Sequence, residues 1–305
     1  FGLAGVGMAL GWVVFVLGKP LLEGKGESPN PELIKRPVFG PINREWLIYT
    51  LAVLGVGAVW FLVQRNEMVG WVLGVSTVAS LAAILWIIAF VCKTWVQRQR
   101  MMLALVLIFG AVVFFTLFEQ AGTSLNLFAD RNVDLTITSQ AMQILGVTIG
   151  TPEQLAAAGI TNPGLWVNST ITAAQVQSFN AGFILIFAPI FAAMWAWLAA
   201  RKRDPNPTMK FGLGLVQVGL GFLVVVWAAG AGMVSPAFQM PLMILAMLYL
   251  LHTTGELFLS PVGLSEITKL SLPSVVSFMM AVWFLASSIA QFVGGKIAGL
   301  MGTET

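Results

Sequence analysis

Two carboxylates stand inside long apolar runs. Glu119 lies in MMLALVLIFGAVVFFTLFEQAGTSLNLFAD, residues 101–130, and Glu256 in MPLMILAMLYLLHTTGELFLSPV, residues 240–262. An ionisable group in such a run is costly in a bilayer and normally faces a bundle interior or a water-filled path. Thr116, Glu119, Thr123, Asn126 and Asp130 recur at steps of three and four, which predicts one polar face on a continuous helix. Tyr249, Thr253 and Ser260 fall on the face of Glu256 in the same way. The ionisation of a buried glutamate answers to its partners, so Glu119 is a candidate proton site. The bland reading is a structural acid satisfied by a neighbour such as Gln120. Glu256 is a candidate counter-charge for a cationic substrate group, or one half of a permanent ion pair with a neighbouring helix.

Other residues could complete such a site. His252, one turn before Glu256, could relay protons or simply be structural. Phe115 and Phe118 flank Glu119, and Trp283 shares a face with Ser287 and Gln291; these could wall an apolar pocket or only pack the bundle. Asn180 could hold an amide or carboxylate, or join two helices. Asp130 and Arg131, at the outer end of their span, could form a gate or an interfacial cap. No nucleotide loop, metal-ligand spacing or nucleophile elbow appears, so no enzyme, metal or cofactor is expected. The single Cys92 excludes an internal disulfide.

These residues must be positioned by membrane-spanning helices. The chain is 58% apolar and only 10% charged, with a mean hydropathy of +0.88, far from the roughly one quarter charged of soluble domains. Eight runs can cross a bilayer: 1–18, 46–63, 68–91, 101–128, 179–200, 211–234, 240–262 and 273–300. Alternating them puts all the basic residues on one side except Arg65, Arg131 and, near the end of the last run, Lys296. That side is therefore cytoplasmic, and the basic pI reflects topology and not nucleic-acid binding. Residues 1–18 read as the end of a preceding span in a longer protein, and 19–45, rich in proline, as a cytoplasmic linker. Residues 46–92 form an uncharged helical hairpin apart from its turn, and 93–305 an incomplete carboxy-terminal bundle. In the outer connection, Thr151-Pro152-Glu153 predicts a short helix, and Ser260-Pro261-Val262-Gly263 predicts a weakened end for the seventh run. Two buried acids on two spanning helices are the arrangement that proton-coupled transport requires.

FFTLFEQAGTSLNLFADR resembles the seventh helix of the proton-dependent oligopeptide transporter family, and TGELFLSPVGLSEITKLSLPSVVSFMMAVWFL resembles its tenth and eleventh helices. The resemblance implies an all-α integral membrane protein of the major facilitator fold. The chain would hold a carboxy-terminal helix bundle plus the two-helix hairpin that bacterial members insert between halves. It implies symport of di- and tripeptides with protons into the cell across the cytoplasmic (inner) membrane, driven by the proton gradient without a cofactor. The amino-terminal six-helix bundle of the same protein would be the partner. Glu119 matches the proton-coupling acid and Glu256 the acid facing the peptide amino terminus, with Ser260 one turn on. Asn180 matches the asparagine that contacts the peptide, and Trp283 and Phe284 the aromatics that line the pocket. Phe115 stands where many members carry tryptophan. The family's first-helix acid–acid–arginine motif, fourth-helix lysine and fifth-helix signature are not found in these residues, which are therefore not expected to transport alone. Transport of another substrate on the same scaffold, such as nitrate or a glycosylated metabolite, stays open, as does a membrane sensor that binds without transporting.

Overall fold

The computed structural model describes residues 2–24, 30–39 and 42–301. Position 1 of the first expected span, and Lys25, Pro29 and Pro41 of the expected linker, lie outside the described residues. Among the described residues, eight helical stretches are long and apolar enough to cross a membrane, in the order expected. The chain divides into two compact units, Phe1–Val69 and Gly70–Thr305.

The first unit holds α1 (Gly2–Gly18), α2 (Pro31–Lys35), the antiparallel pair β1 (Pro37–Phe39) and β2 (Ile42–Asn43), α3 (Arg44–Val63) and the start of α4 (Asn66–Trp86). The Asn43 side chain caps α3 by accepting from the Trp46 amide at 2.9 Å. α3 buries none of its residues, and Val53, Val56 and Trp60 point outward. A helix that is apolar all round and unburied is suited to lipid.

In the second unit α4 ends in a π-helical turn, Ile87–Val91, and α5 (Trp95–Phe118) starts from a capping box between Thr94 and Gln97. α5 does not continue to Asp130. It gives way to a 3₁₀ turn, Glu119–Gly122, and the chain turns at Thr123 (φ −127°, ψ −97°) before α6 (Ser124–Asn132). The expected continuous polar face is therefore interrupted. Thr116 lies buried against the Ala290 carbonyl, to which it donates at 3.5 Å, whereas Thr123 is exposed at the turn.

The outer connection carries short strands that no sequence period announced. β3 (Val133–Asp134), β4 (Met142–Ile144) and β5 (Val147–Ile149) precede the expected helix, here α7 (Pro152–Ala157), and β6 (Leu165–Val167) follows it. β4 pairs antiparallel and β6 parallel with β5. Thr151 caps α7, and the Glu153 carboxylate is held below its ordinary pKa by a backbone amide and the Thr151 hydroxyl. α8 (Ala173–Val176) leads into α9 (Ser178–Ala200), then α10 (Pro207–Gly230), β7 (Met240–Pro241), α11 (Leu242–Leu270) and α12 (Val276–Met301). β7 pairs parallel with β3.

α11 corrects a second expectation. It runs through Pro261 to Leu270 instead of weakening at Ser260-Pro261-Val262-Gly263. The ring of Trp283 lies against Gly263, where an added Cβ would overlap Cη2, and Ile267 beyond is fully buried. Packing on α12 thus outweighs the lost backbone hydrogen bond at the proline. α10 and α11 meet just as closely: a Cβ on Gly214 would lie 2.8 Å from the Gly255 carbonyl oxygen. The main core joins the end of α4 to α5, α10, α11 and α12 through residues such as Ile87, Phe114, Val218, Leu259, Met279 and Trp283.

Candidate substrate and proton site

Glu256 sits midway along α11. Its Oε2 is buried without a hydrogen-bond partner, and so is the Ser260 hydroxyl one turn on. Burying polar atoms unpaired is costly, and native structures keep such atoms few. Asn180, near the start of α9, faces the Glu256 carboxylate. Its Nδ2 donates to the Thr253 hydroxyl at 3.0 Å, and that hydroxyl donates to the Tyr249 carbonyl at 2.7 Å. The helix-joining reading of Asn180 is therefore present, while its Oδ1 meets no donor among the described residues. No cation lies within ion-pair distance of Glu256 or Glu119 among the described residues; the pairs there are Lys210–Asp204 and Lys269–Glu266. An ion pair between Glu256 and a neighbouring helix is not found among the described residues.

Glu119 opens the 3₁₀ turn, half-buried, close enough to Glu256 for the two charges to interact. Its partner is not Gln120. That side chain donates to the Thr116 and Gly294 carbonyls, at 3.0 and 3.3 Å, and accepts from the Ser124 hydroxyl, tying the broken helix to α12. Glu119 instead accepts from Gln291 Nε2 of α12 at a long 3.5 Å. Tyr249 of α11 reaches the same turn by donating to the Ala121 carbonyl at 3.4 Å.

Phe115 and Phe118 form one aromatic cluster with Phe114, in which Phe114 and Phe118 stack at 5.6 Å. Trp283 is buried in the core, whereas Phe284 is 61% exposed, on the α12 stripe that also bears Ser288 and Gln291. The two expected pocket aromatics therefore take different faces. His252 is buried between Phe118 and Phe222, with Nε2 3.2 Å from the Val218 carbonyl. A carbonyl only accepts, so Nε2 carries the proton and Nδ1 is left unpartnered. The Asp130 and Arg131 side chains lie exposed in the last turn of α6, with no side-chain hydrogen bond or ion pair among the described residues. A cavity of about 780 Å³ opens where the outer connection meets α9 and α11, lined by Asp134, Thr136, Glu153, Phe179 and Leu242 among others.

α5 is thus interrupted beside Glu119, while Glu256 stands midway along the continuous α11. The pattern that defines the POT family matches residues 1–149 and 164–305. The chain belongs to that family. It is 32% identical over 99% of its length to dipeptide and tripeptide permease A of Erwinia pyrifoliae, and 31% identical over 98% to the uncharacterized transporter YclF of Bacillus subtilis. A crystal structure of the peptide transporter POT in complex with sulfate superposes with a TM-score of 0.66 at 26% identity, over 98% of this chain and 55% of that one. The chain spans about half of each relative, 53% of the permease and 54% of YclF. The major facilitator fold expected from the sequence, and the location in the membrane, follow from this membership.

Proposed function

We propose that the chain is the carboxy-terminal bundle, with its linker and inserted hairpin, of a proton-coupled symporter that takes di- and tripeptides into the cell across the cytoplasmic membrane. The observation that carries the reading is the unpaired, buried couple of Glu256 Oε2 and Ser260 Oγ beside Asn180. An acceptor-rich site without its own cation suits a substrate that brings one, as a peptide brings its amino terminus. Glu256 is the counter-charge, Ser260 a second acceptor, and Asn180 Oδ1 an acceptor for a peptide N–H. Phe115, Phe118 and Phe284 bound the site with apolar surface, and the buried Trp283 fixes the α11–α12 contact behind it.

Glu119 is the proton-carrying group. Its hydrogen bond to Gln291 is long and involves no cation, so protonation does not break an ion pair within this chain. Protonation removes a negative charge close to Glu256 and changes how α5, α6 and α12 meet at the turn. The amino-terminal six-helix bundle supplies the cations for the peptide carboxylate, and the two bundles rock about the site. Asp130 and Arg131, exposed at the end of α6, are the outer gate. The relatives named as dipeptide and tripeptide permeases support the substrate class.

The test is dipeptide uptake by the full-length protein in liposomes, with an inward proton gradient and again with the gradient collapsed. Accumulation should vanish with the gradient, and Glu119→Gln should abolish concentrative uptake while leaving exchange of peptide across the bilayer. Concentrative uptake by Glu119→Gln would remove that residue from proton coupling.

A further inference from the structure

One guanidinium ties the cytoplasmic ends of α4 and α5. Arg98 Nη2 donates at 3.3 Å to the Ala89 carbonyl, in the π-helical turn where α4 loosens and stops. Its Nε is buried without an acceptor, and no carboxylate pairs with it among the described residues. The sequence offers none nearby. Between Glu67 and Glu119 the charged residues are Lys93, Arg98 and Arg100, all basic. Lys93 and Arg100 are exposed beside it. This end of the hairpin is a concentration of positive charge with no counter-charge of its own.

Above it, an apolar crevice of about 260 Å³ runs between α4, α5 and α12, lined by Ser80, Leu81, Leu105, Phe109, Val282 and Ile289. The crevice is open to the outside of the bundle, with Phe109 69% and Leu81 40% exposed. Arg98 and Leu105 lie two turns apart on one face of α5, about 10 Å along the axis at 1.5 Å per residue. The crevice therefore begins one glycerol and a few methylenes above the guanidinium, and continues to the middle of a hydrocarbon core of about 30 Å.

We propose that this is a binding site for an anionic phospholipid of the cytoplasmic leaflet, with its phosphate on Arg98 and Lys93 and one acyl chain in the crevice. A negative group and a long apolar chain, joined at this separation, are what a phospholipid supplies. Basic pockets between helices on the cytoplasmic side bind such headgroups. A zwitterionic lipid brings the chain, but its own cation offsets the needed counter-charge. Free phosphate brings the charge without the chain. The bound lipid would strap the α4 end of the hairpin to α5 and α12.

The test is thermal unfolding of the delipidated full-length protein in detergent, titrated with phosphatidylglycerol, with phosphatidylcholine of the same chains, and with inorganic phosphate. Phosphatidylglycerol should raise Tm by several degrees more than phosphatidylcholine does, and inorganic phosphate should have little effect. Arg98→Gln should remove the preference, Arg98→Lys should keep most of it, and Leu81→Trp, which plugs the crevice, should blunt the response to both lipids. Equal shifts with the two lipids, or an unchanged preference in Arg98→Gln, would overturn the proposal. So would inorganic phosphate reproducing the whole shift, or a dimer in gel filtration that Leu81→Trp disperses. If Arg98→Gln does not fold, an undiminished phosphatidylglycerol response in Leu81→Trp overturns it instead.

Discussion

The amide of Asn180 on α9 donates to the Thr253 hydroxyl on α11, three residues before Glu256, at 3.0 Å. One polar contact thus sets the position of α9 against the helix that carries Glu256. Interhelical hydrogen bonds in membranes contribute about 0.6 kcal/mol on average. Asn180→Ala should lower stability by about that much in a reversible unfolding assay. It should also raise KM for dipeptides, because the side chain facing the Glu256 carboxylate is lost. An unchanged KM would reduce Asn180 to a helix tie.

Ser260→Ala separates stability from function. The hydroxyl is buried and unpartnered, so removing it returns a desolvation cost of about 1 kcal/mol. The variant should unfold at a higher temperature than the natural protein and transport peptides less well. Sites that break local rules for function behave in this way. A destabilised Ser260→Ala would show that the hydroxyl has a partner in the folded protein.

Gly263→Ala should be severe. The new Cβ would overlap the Trp283 ring, and the ring belongs to the main core. Overpacking of this kind costs about 1–3 kcal/mol. Trp283→Leu makes room, so the double variant should be more stable than Gly263→Ala alone in a double-mutant cycle. Additive losses would mean that the helices separate without touching.

Gln120→Ala should loosen the turn after α5. It removes the donor to the Thr116 and Gly294 carbonyls and the acceptor for Ser124. The expected cost is about 1–3 kcal/mol in an unfolding assay, since buried groups are left unpaired. Gln120→Glu keeps the shape and adds a charge beside Glu119. It should impair proton-driven uptake more than it impairs counterflow.

The spanning helices were legible because apolar runs of bilayer length have few other uses, and each expected run overlaps a helix in the structure. Glu119 and Glu256 were legible for the same reason, as charges where charge is costly. The break at Glu119–Gly122 was not. Thr116, Thr123 and Asn126 keep a helical spacing through it, so the period conceals the turn. The partner of Glu119 was hidden too, since Gln291 is 172 residues away and no local spacing rule connects them. At Pro261 the residues carry a local stop signal, but the helix continues because the contact between Gly263 and Trp283 overrides it. The strands of the outer connection have only two or three residues each, too few for an alternating pattern to register.

Glu119 is the first residue of the turn between α5 and α6. The backbone leaves helical geometry four residues on, at Thr123, so the bend between those helices and the carboxylate share one short segment. On the proposed reading, a proton on Glu119 would act inside the bend, with no lever needed to carry its effect along the helix.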